Sequence, residues 1–166
     1  MPCKKRPPDP QAPLREQLVH LLQGGDAHLG FSDALGRLPL EKAGLRPPGA
    51  PHSVWELLEH IRIAQEDILR FSQSADYVSP KWPDGYWPAS SAPSSARNWK
   101  HSIRQCEDDL TEFAALVLDP DHDLHHAFPW GSGQTLLREA LVLADHNSYH
   151  LGQIVLVRQL LGAWRP

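Results

Sequence analysis

Cysteine is scarce in this chain, with only Cys3 and Cys106 in 166 residues. That excludes a disulfide framework and a Cys-rich zinc site. No Cys3–Cys106 bridge is expected, and a reducing cytoplasm is the expected compartment. An excess of positive charge is also missing: 16 Lys and Arg face 20 Asp and Glu, for a net charge of −4. A nucleic-acid partner is therefore not expected, because phosphate binding needs clustered cations. No apolar run is long enough to span a bilayer, so no membrane partner is expected either. The basic residues of segment 1–13 precede no apolar stretch, which does not match a secretory signal. Strand-like alternation and internal repeats are absent. Gly131-Ser132-Gly133 is too short for a phosphate loop and lacks its lysine.

What the chain does have is proline, apolar helix seams and histidine. Hydrophobic residues make up 41% and charged residues 22%, the balance of an ordinary globular domain. Residues 1–13 read as a disordered Pro-rich tail and 14–166 as one domain large enough for a substantial core. Four helical segments are expected. The first runs from Leu14 to Leu35, although Gly24-Gly25 and Gly30 weaken it. Pro47-Pro48-Gly49 then breaks the chain. The second runs from Val54 to Ser74 and opens on a capping box, Ser53 with Glu56. Its seam is Val54, Leu57, Ile61, Ala64, Ile68 and Phe71.

Segment 77–94 carries Pro80, Pro83, Pro88 and Pro93, which forbid regular helix. It also carries Trp82, Tyr86 and Trp87, so it is expected to fold back over the helices or into a partner. The third helix spans Ser95 to Leu118 with Trp99, Ile103, Cys106, Leu110, Phe113 and Val117 on one face. The fourth spans Leu136 to Leu161. The fold class is all-α, a four-helix bundle with long aromatic and Pro-rich loops; periodicity leaves antiparallel neighbours and crossovers both open.

The chemistry lies in histidine placement. His146 and His150 are four residues apart on the last helix, so their Cβ atoms sit roughly 5–6 Å from one another. They interrupt an apolar stripe of Leu143, Ile154, Val157 and Leu161. Each buried ring nitrogen left unsatisfied costs about 1–3 kcal/mol, and a metal ion satisfies both. His60 falls on the buried face of the second helix and completes a candidate metal site of His60, His146 and His150. Closed structural zinc sites use four protein ligands; three leave a position open for water or substrate.

Other arrangements fit less well. His146-Asn147-Ser148-Tyr149-His150 is not the metalloprotease motif, since Asn147 stands where the base is needed. No Glu-x-x-His occurs in the helices, which disfavours a di-iron bundle. The run from Asp121 to His126 is a rival cluster that reads as a solvated loop. His28 could approach the core as packing or as support to the site; His20, His52 and His101 read as surface or cap positions. Cys106 reads as a small core residue. Asp145 projects about 100° from His146 and is a weak acid–base candidate, so the catalytic residues stay unknown.

The segment Pro51-His52-Ser53-Val54-Trp55-Glu56-Leu57-Leu58-Glu59-His60-Ile61, together with Ala144-Asp145-His146-Asn147-Ser148-Tyr149-His150-Leu151-Gly152-Gln153-Ile154, resembles the DinB-like (DinB/YfiT-like) metalloenzyme superfamily. The run His-x-x-x-His-x-Gly-Gln-Ile is its most specific part, and Trp164 also suits the pattern. The resemblance implies a four-helix bundle that binds a divalent metal through His60, His146 and His150. It also implies a homodimer and, in characterised branches, thiol S-transferases and a thiol-dependent isomerase.

Two functions follow as expectations. One is a metal-dependent thiol S-transferase or hydrolase acting on a small electrophilic substrate, with a low-molecular-weight thiol as partner. The other is a non-catalytic metal- or ligand-binding bundle dimer. Imidazole suits several divalent metals, and zinc or nickel is expected here.

Overall fold

The computed structural model describes residues 9–25 and 27–164. Most of the Pro-rich tail, including Cys3, lies outside the described residues. The elements are α1 (Ala12–Gln23), α2 (Phe31–Leu35), α3 (Val54–Gln73), α4 (Ala96–Leu118) and α5 (Leu136–Leu160), with single 3-10 turns at Leu40–Lys42 and Asp84–Tyr86. No strand occurs among the described residues.

Three long helices fall where the apolar seams put them, and side-chain caps fix their starts. Ser53 Oγ accepts from the Glu56 amide at 3.2 Å, while Glu56 Oε2 accepts from the Ser53 amide at 2.8 Å. Ser95 and Thr135 cap α4 and α5 in the same manner, accepting from Asn98 and Arg138. The continuous first helix expected over Leu14–Leu35 does not form. Gly24 and Gly25 adopt φ of 69° and 101°, a left-handed backbone that ends α1, and the chain re-enters helix only at Phe31.

The packing order is α1–α4–α3–α5: α1 and α3 each contact both α4 and α5. α3 and α5 run antiparallel, since His60 meets His150 while Gln65 meets Asn147. α3 and α4 run parallel, as the pairs Trp55–Trp99, Gln65–Cys106 and Arg70–Glu112 show. A parallel pair needs a connection that travels back along the bundle, roughly 30 Å for a helix of this length. The 74–95 segment makes that journey, and this is why it lies over the bundle.

Two apolar clusters fill the interior. One gathers Val54, Leu57, Leu58, Ile61, Trp99, Cys106 and Ile154; the other gathers Leu18, Leu69, Phe113, Val117, Leu136 and Leu143. Between them a polar ladder crosses three helices. Asn147 Nδ2 donates to Gln65 Oε1 at 3.0 Å, and Gln65 Nε2 donates to the Cys106 carbonyl at 2.5 Å. Asn147 therefore fixes how α5 is rotated against α3. No helix of the described residues is long and apolar enough to cross a membrane.

Candidate metal centre

α3 presents His60 and α5 presents His146 and His150 to one point. His60 and His150 are 5% and 8% exposed, and His146 is half-buried. The ring centroids lie 4.5 to 4.9 Å apart. One nitrogen from each ring falls within 4.8 Å of the other two. Among the described residues this is the one such group of three or more His, Cys, Asp or Glu side chains.

Hydrogen bonds on the far sides of two rings decide which nitrogen faces inward. His60 Nδ1 lies 2.8 Å from the Tyr86 carbonyl oxygen, so it must donate, leaving Nε2 as a lone pair. His150 Nδ1 lies 2.7 Å from Gln153 Oε1 and is fixed in the same way. His146 Nδ1 is buried without a partner. Its Nε2 stands 3.1 Å from His60 Nε2.

Aromatic packing fixes the His60 ring further. The Trp87 indole stacks on it at 4.1 Å with the planes 3° apart, and His52 stacks against Trp87 at 3.9 Å. The three rings thus form a sandwich with the indole in the middle. His52 is therefore not the plain surface or cap residue expected, because the connection that brings Trp87 over α3 also covers His52.

Burial lowers the proton affinity of all three candidate ligands. His60 is held below its ordinary value, mainly by desolvation. His146 is pushed down to about 4 by burial and by the neighbouring His150 and His60. His150 is also pushed down to about 4, burial outweighing the Gln153 hydrogen bond that opposes it. All three are neutral at pH 7, the state that binds metal. Inward lone pairs, Nδ1 groups anchored by a carbonyl and an amide oxygen, and neutral rings fit a divalent cation.

A cavity of about 550 Å³ opens beside the histidines, between α3, α5 and the aromatic connection. Its wall includes Asp67, Phe71, Tyr86, Arg138, Glu139 and Val142. Tyr86 Oη donates to Asp67 Oδ2 at 2.7 Å, and Arg138 Nη1 donates to Glu139 Oε1 at 2.5 Å. Burial and the Asp67 carboxylate raise the Tyr86 phenol, keeping it protonated.

The other candidates separate from this point. His28 is exposed and bonds Ser148 Oγ at 2.9 Å on the outer side of α5. Asp145 is exposed. His122, His125 and His126 are exposed, and His122 pairs with Asp119 at 3.1 Å. Cys106 is a buried free thiol whose proton affinity burial raises strongly, the opposite of an activated nucleophile. Sequence reading missed Gln153, Tyr86 and Trp87 as supports. Only Gln153 carried a local signal, three residues after His150 and so on the same helix face.

The family model of the DinB superfamily matches residues 29–154. No curated protein and no solved structure matches the chain. The match spans all of α2, α3 and α4, and α5 through Ile154, so it includes the whole histidine cluster, and the chain belongs to the DinB superfamily.

Proposed function

We propose that this protein is a divalent-metal-dependent enzyme that adds a thiol or water nucleophile to a small electrophilic substrate. His60, His146 and His150 would hold the metal, with zinc or nickel as the ion. The observation that carries the reading is the open side of the cluster. Three imidazoles converge with no fourth protein ligand among the described residues, and a 550 Å³ cavity adjoins them. A structural site would be closed by a fourth ligand. A cavity of this size suits a small molecule.

A bound divalent cation would lower the pKa of water or a thiol and supply a nucleophile near neutral pH. The chain's own residues do the rest. Tyr86 and Gln153 orient two ligand rings through their oxygens, and Trp87 keeps water from one face of His60. Phe71 and Val142 give the cavity apolar surface, while Arg138, Glu139 and Asp67 offer polar contacts to a substrate.

The reading includes a homodimer and a cytoplasmic location. Leu141, Tyr149, Leu156 and Leu160 are exposed on α5, and Gly152 adds an open backbone position on the same helix. Helices apolar on every side are normally covered on every side. The buried free thiol of Cys106 suits a reducing compartment.

Elemental analysis of purified protein, then assay of a thiol panel with an aryl halide or epoxide electrophile, tests the reading. We expect about one divalent ion per chain, and loss of both metal and turnover in His60→Ala and His150→Ala with helicity retained. Unchanged metal content in both variants would move the site to the His122–His126 loop. Turnover with water alone would assign a hydrolase. No turnover with any thiol or with water would remove the enzymatic reading.

A further inference from the structure

A second cavity lies where the segment after α2 meets the C-terminal end of α5. It measures about 400 Å³ and is lined by Arg37, Pro39, Lys42, Arg158, Gly162 and Ala163. Three of these six are cations and none is acidic, in a chain whose net charge is −4. No carboxylate of the described residues lies within ion-pairing distance of Arg37, Lys42 or Arg158. Like charges gathered in a partly buried space repel one another unless an anion joins them.

Two of the cations have a structural use. Arg158, 2% exposed, donates through Nη1 to the Ala34 carbonyl and through Nη2 to the carbonyls of Gly36 at 2.8 Å and Ala163 at 3.2 Å. Lys42 Nζ donates to the Leu161 carbonyl at 2.9 Å. Those bonds satisfy carbonyls at the C-terminal ends of α2 and α5, where cations are favoured. They do not account for the remainder. The Arg158 guanidinium lies over the Trp164 ring at 4.8 Å, and its Nε is buried with no hydrogen-bond partner. Arg37 is exposed, has no hydrogen bond or ion pair among the described residues, and holds a left-handed backbone with φ of 56°. That backbone region is uncommon for a residue other than glycine. Burial, with Arg37 as a second cause, also lowers the proton affinity of Arg158, so the two cations sense each other.

We propose that this cavity binds a small molecule through a phosphate or carboxylate group, with Arg37 and Lys42 contacting the oxyanion and Arg158 supplying fixed positive charge behind them. The site is separate from the histidine cavity, and no residue lines both. Arg158 follows His150 by eight residues, roughly 12 Å along α5. The proposal does not rest on the metal reading.

The test is a thermal-shift and calorimetric titration of the full chain with inorganic phosphate and with citrate, against chloride at matched ionic strength. Arg37→Gly removes the charge and accepts the left-handed backbone; Lys42→Gln removes the second contact. We expect a saturable rise in Tm with one of the two oxyanions and none with chloride. Binding should weaken at least tenfold in each variant, with an unchanged circular-dichroism spectrum. His146→Ala, which disables the metal centre, should keep the full response. Phosphate acting alone would identify a phosphate ligand, and citrate acting alone a carboxylate ligand. Equal midpoints in the parent, Arg37→Gly and Lys42→Gln proteins would overturn the proposal, as would an equal response to chloride or its loss in His146→Ala.

Discussion

His60 Nε2 and His146 Nε2 face each other at 3.1 Å across the α3–α5 interface. The Tyr86 carbonyl fixes the His60 proton on Nδ1, so the nitrogen turned toward His146 is a lone pair. With its proton on Nε2, His146 would donate to His60 and leave a buried, unpartnered Nδ1 acceptor. With its proton on Nδ1, two lone pairs would oppose each other. A cation between them removes the lone-pair clash of the second arrangement, with Nδ1 of His60 and His150 anchored on the outer side and that of His146 still without a hydrogen-bond partner.

The first prediction concerns pH. His146 and His150 are pushed down to about 4 in the folded, metal-free protein, against about 6.5 unfolded. Between those values the unfolded chain binds more protons, so stability rises with pH across the window and is lost as pH falls from 6.5 toward 4. Allowing for solvent screening, the loss is on the order of 1–2 kcal/mol per ring. Urea unfolding in the presence of a chelator at pH 4.5, 5.5 and 7 measures it. A profile as steep in the His146→Ala/His150→Ala double variant would show that other groups cause it.

The second concerns Gln153, whose side-chain oxygen accepts from His150 Nδ1 at 2.7 Å. Gln153→Leu should weaken metal binding by about 10- to 100-fold, as removal of such outer partners does. Gln153→Glu keeps the acceptor and should restore affinity. Competition with a chromogenic chelator reads both. Equal affinities across the three proteins would remove Gln153 from the site.

The third concerns the Trp87 indole between His52 and His60. Its fluorescence should be quenched on titration with Ni²⁺ or Cu²⁺, and Trp87→Leu should lose that component while weakening the metal several-fold. Quenching that persists undiminished in Trp87→Leu would mean another tryptophan reports on the ion.

The fourth concerns the start of α3. Ser53 Oγ caps the helix and also donates to the Ser91 carbonyl at 2.6 Å. Ser53→Ala should cost about 1–2 kcal/mol in chemical denaturation, since a cap and a tie to the aromatic connection are lost together. A change below about 0.5 kcal/mol would show that neither bond matters in solution.

The fifth concerns association. Tyr149→Glu and Leu156→Glu place charge on the exposed apolar side of α5 and should shift a dimer to monomer in sedimentation analysis, with helicity unchanged. Dimers of undiminished affinity in both variants would locate the interface elsewhere.

The amino-acid order alone determined a good deal. The three–four spacing of apolar residues placed α3, α4 and α5 to within two residues, because a core-facing stripe has few alternatives. The four-residue step from His146 to His150 put both rings on one face for the same local reason. Local preference also warned of the break at Gly24-Gly25, and the left-handed backbone there carried it through. What pattern could not decide was which helices are neighbours. The parallel pairing of α3 with α4 sends segment 74–95 back along the bundle, and that path lays Tyr86 and Trp87 on His60. No periodicity within one helix encodes a contact between residues 26 or 86 positions apart. The meeting of His60 with Tyr86 and with His146 was therefore left to tertiary packing, where burial of two separate apolar faces fixes the rotation of each helix against the other.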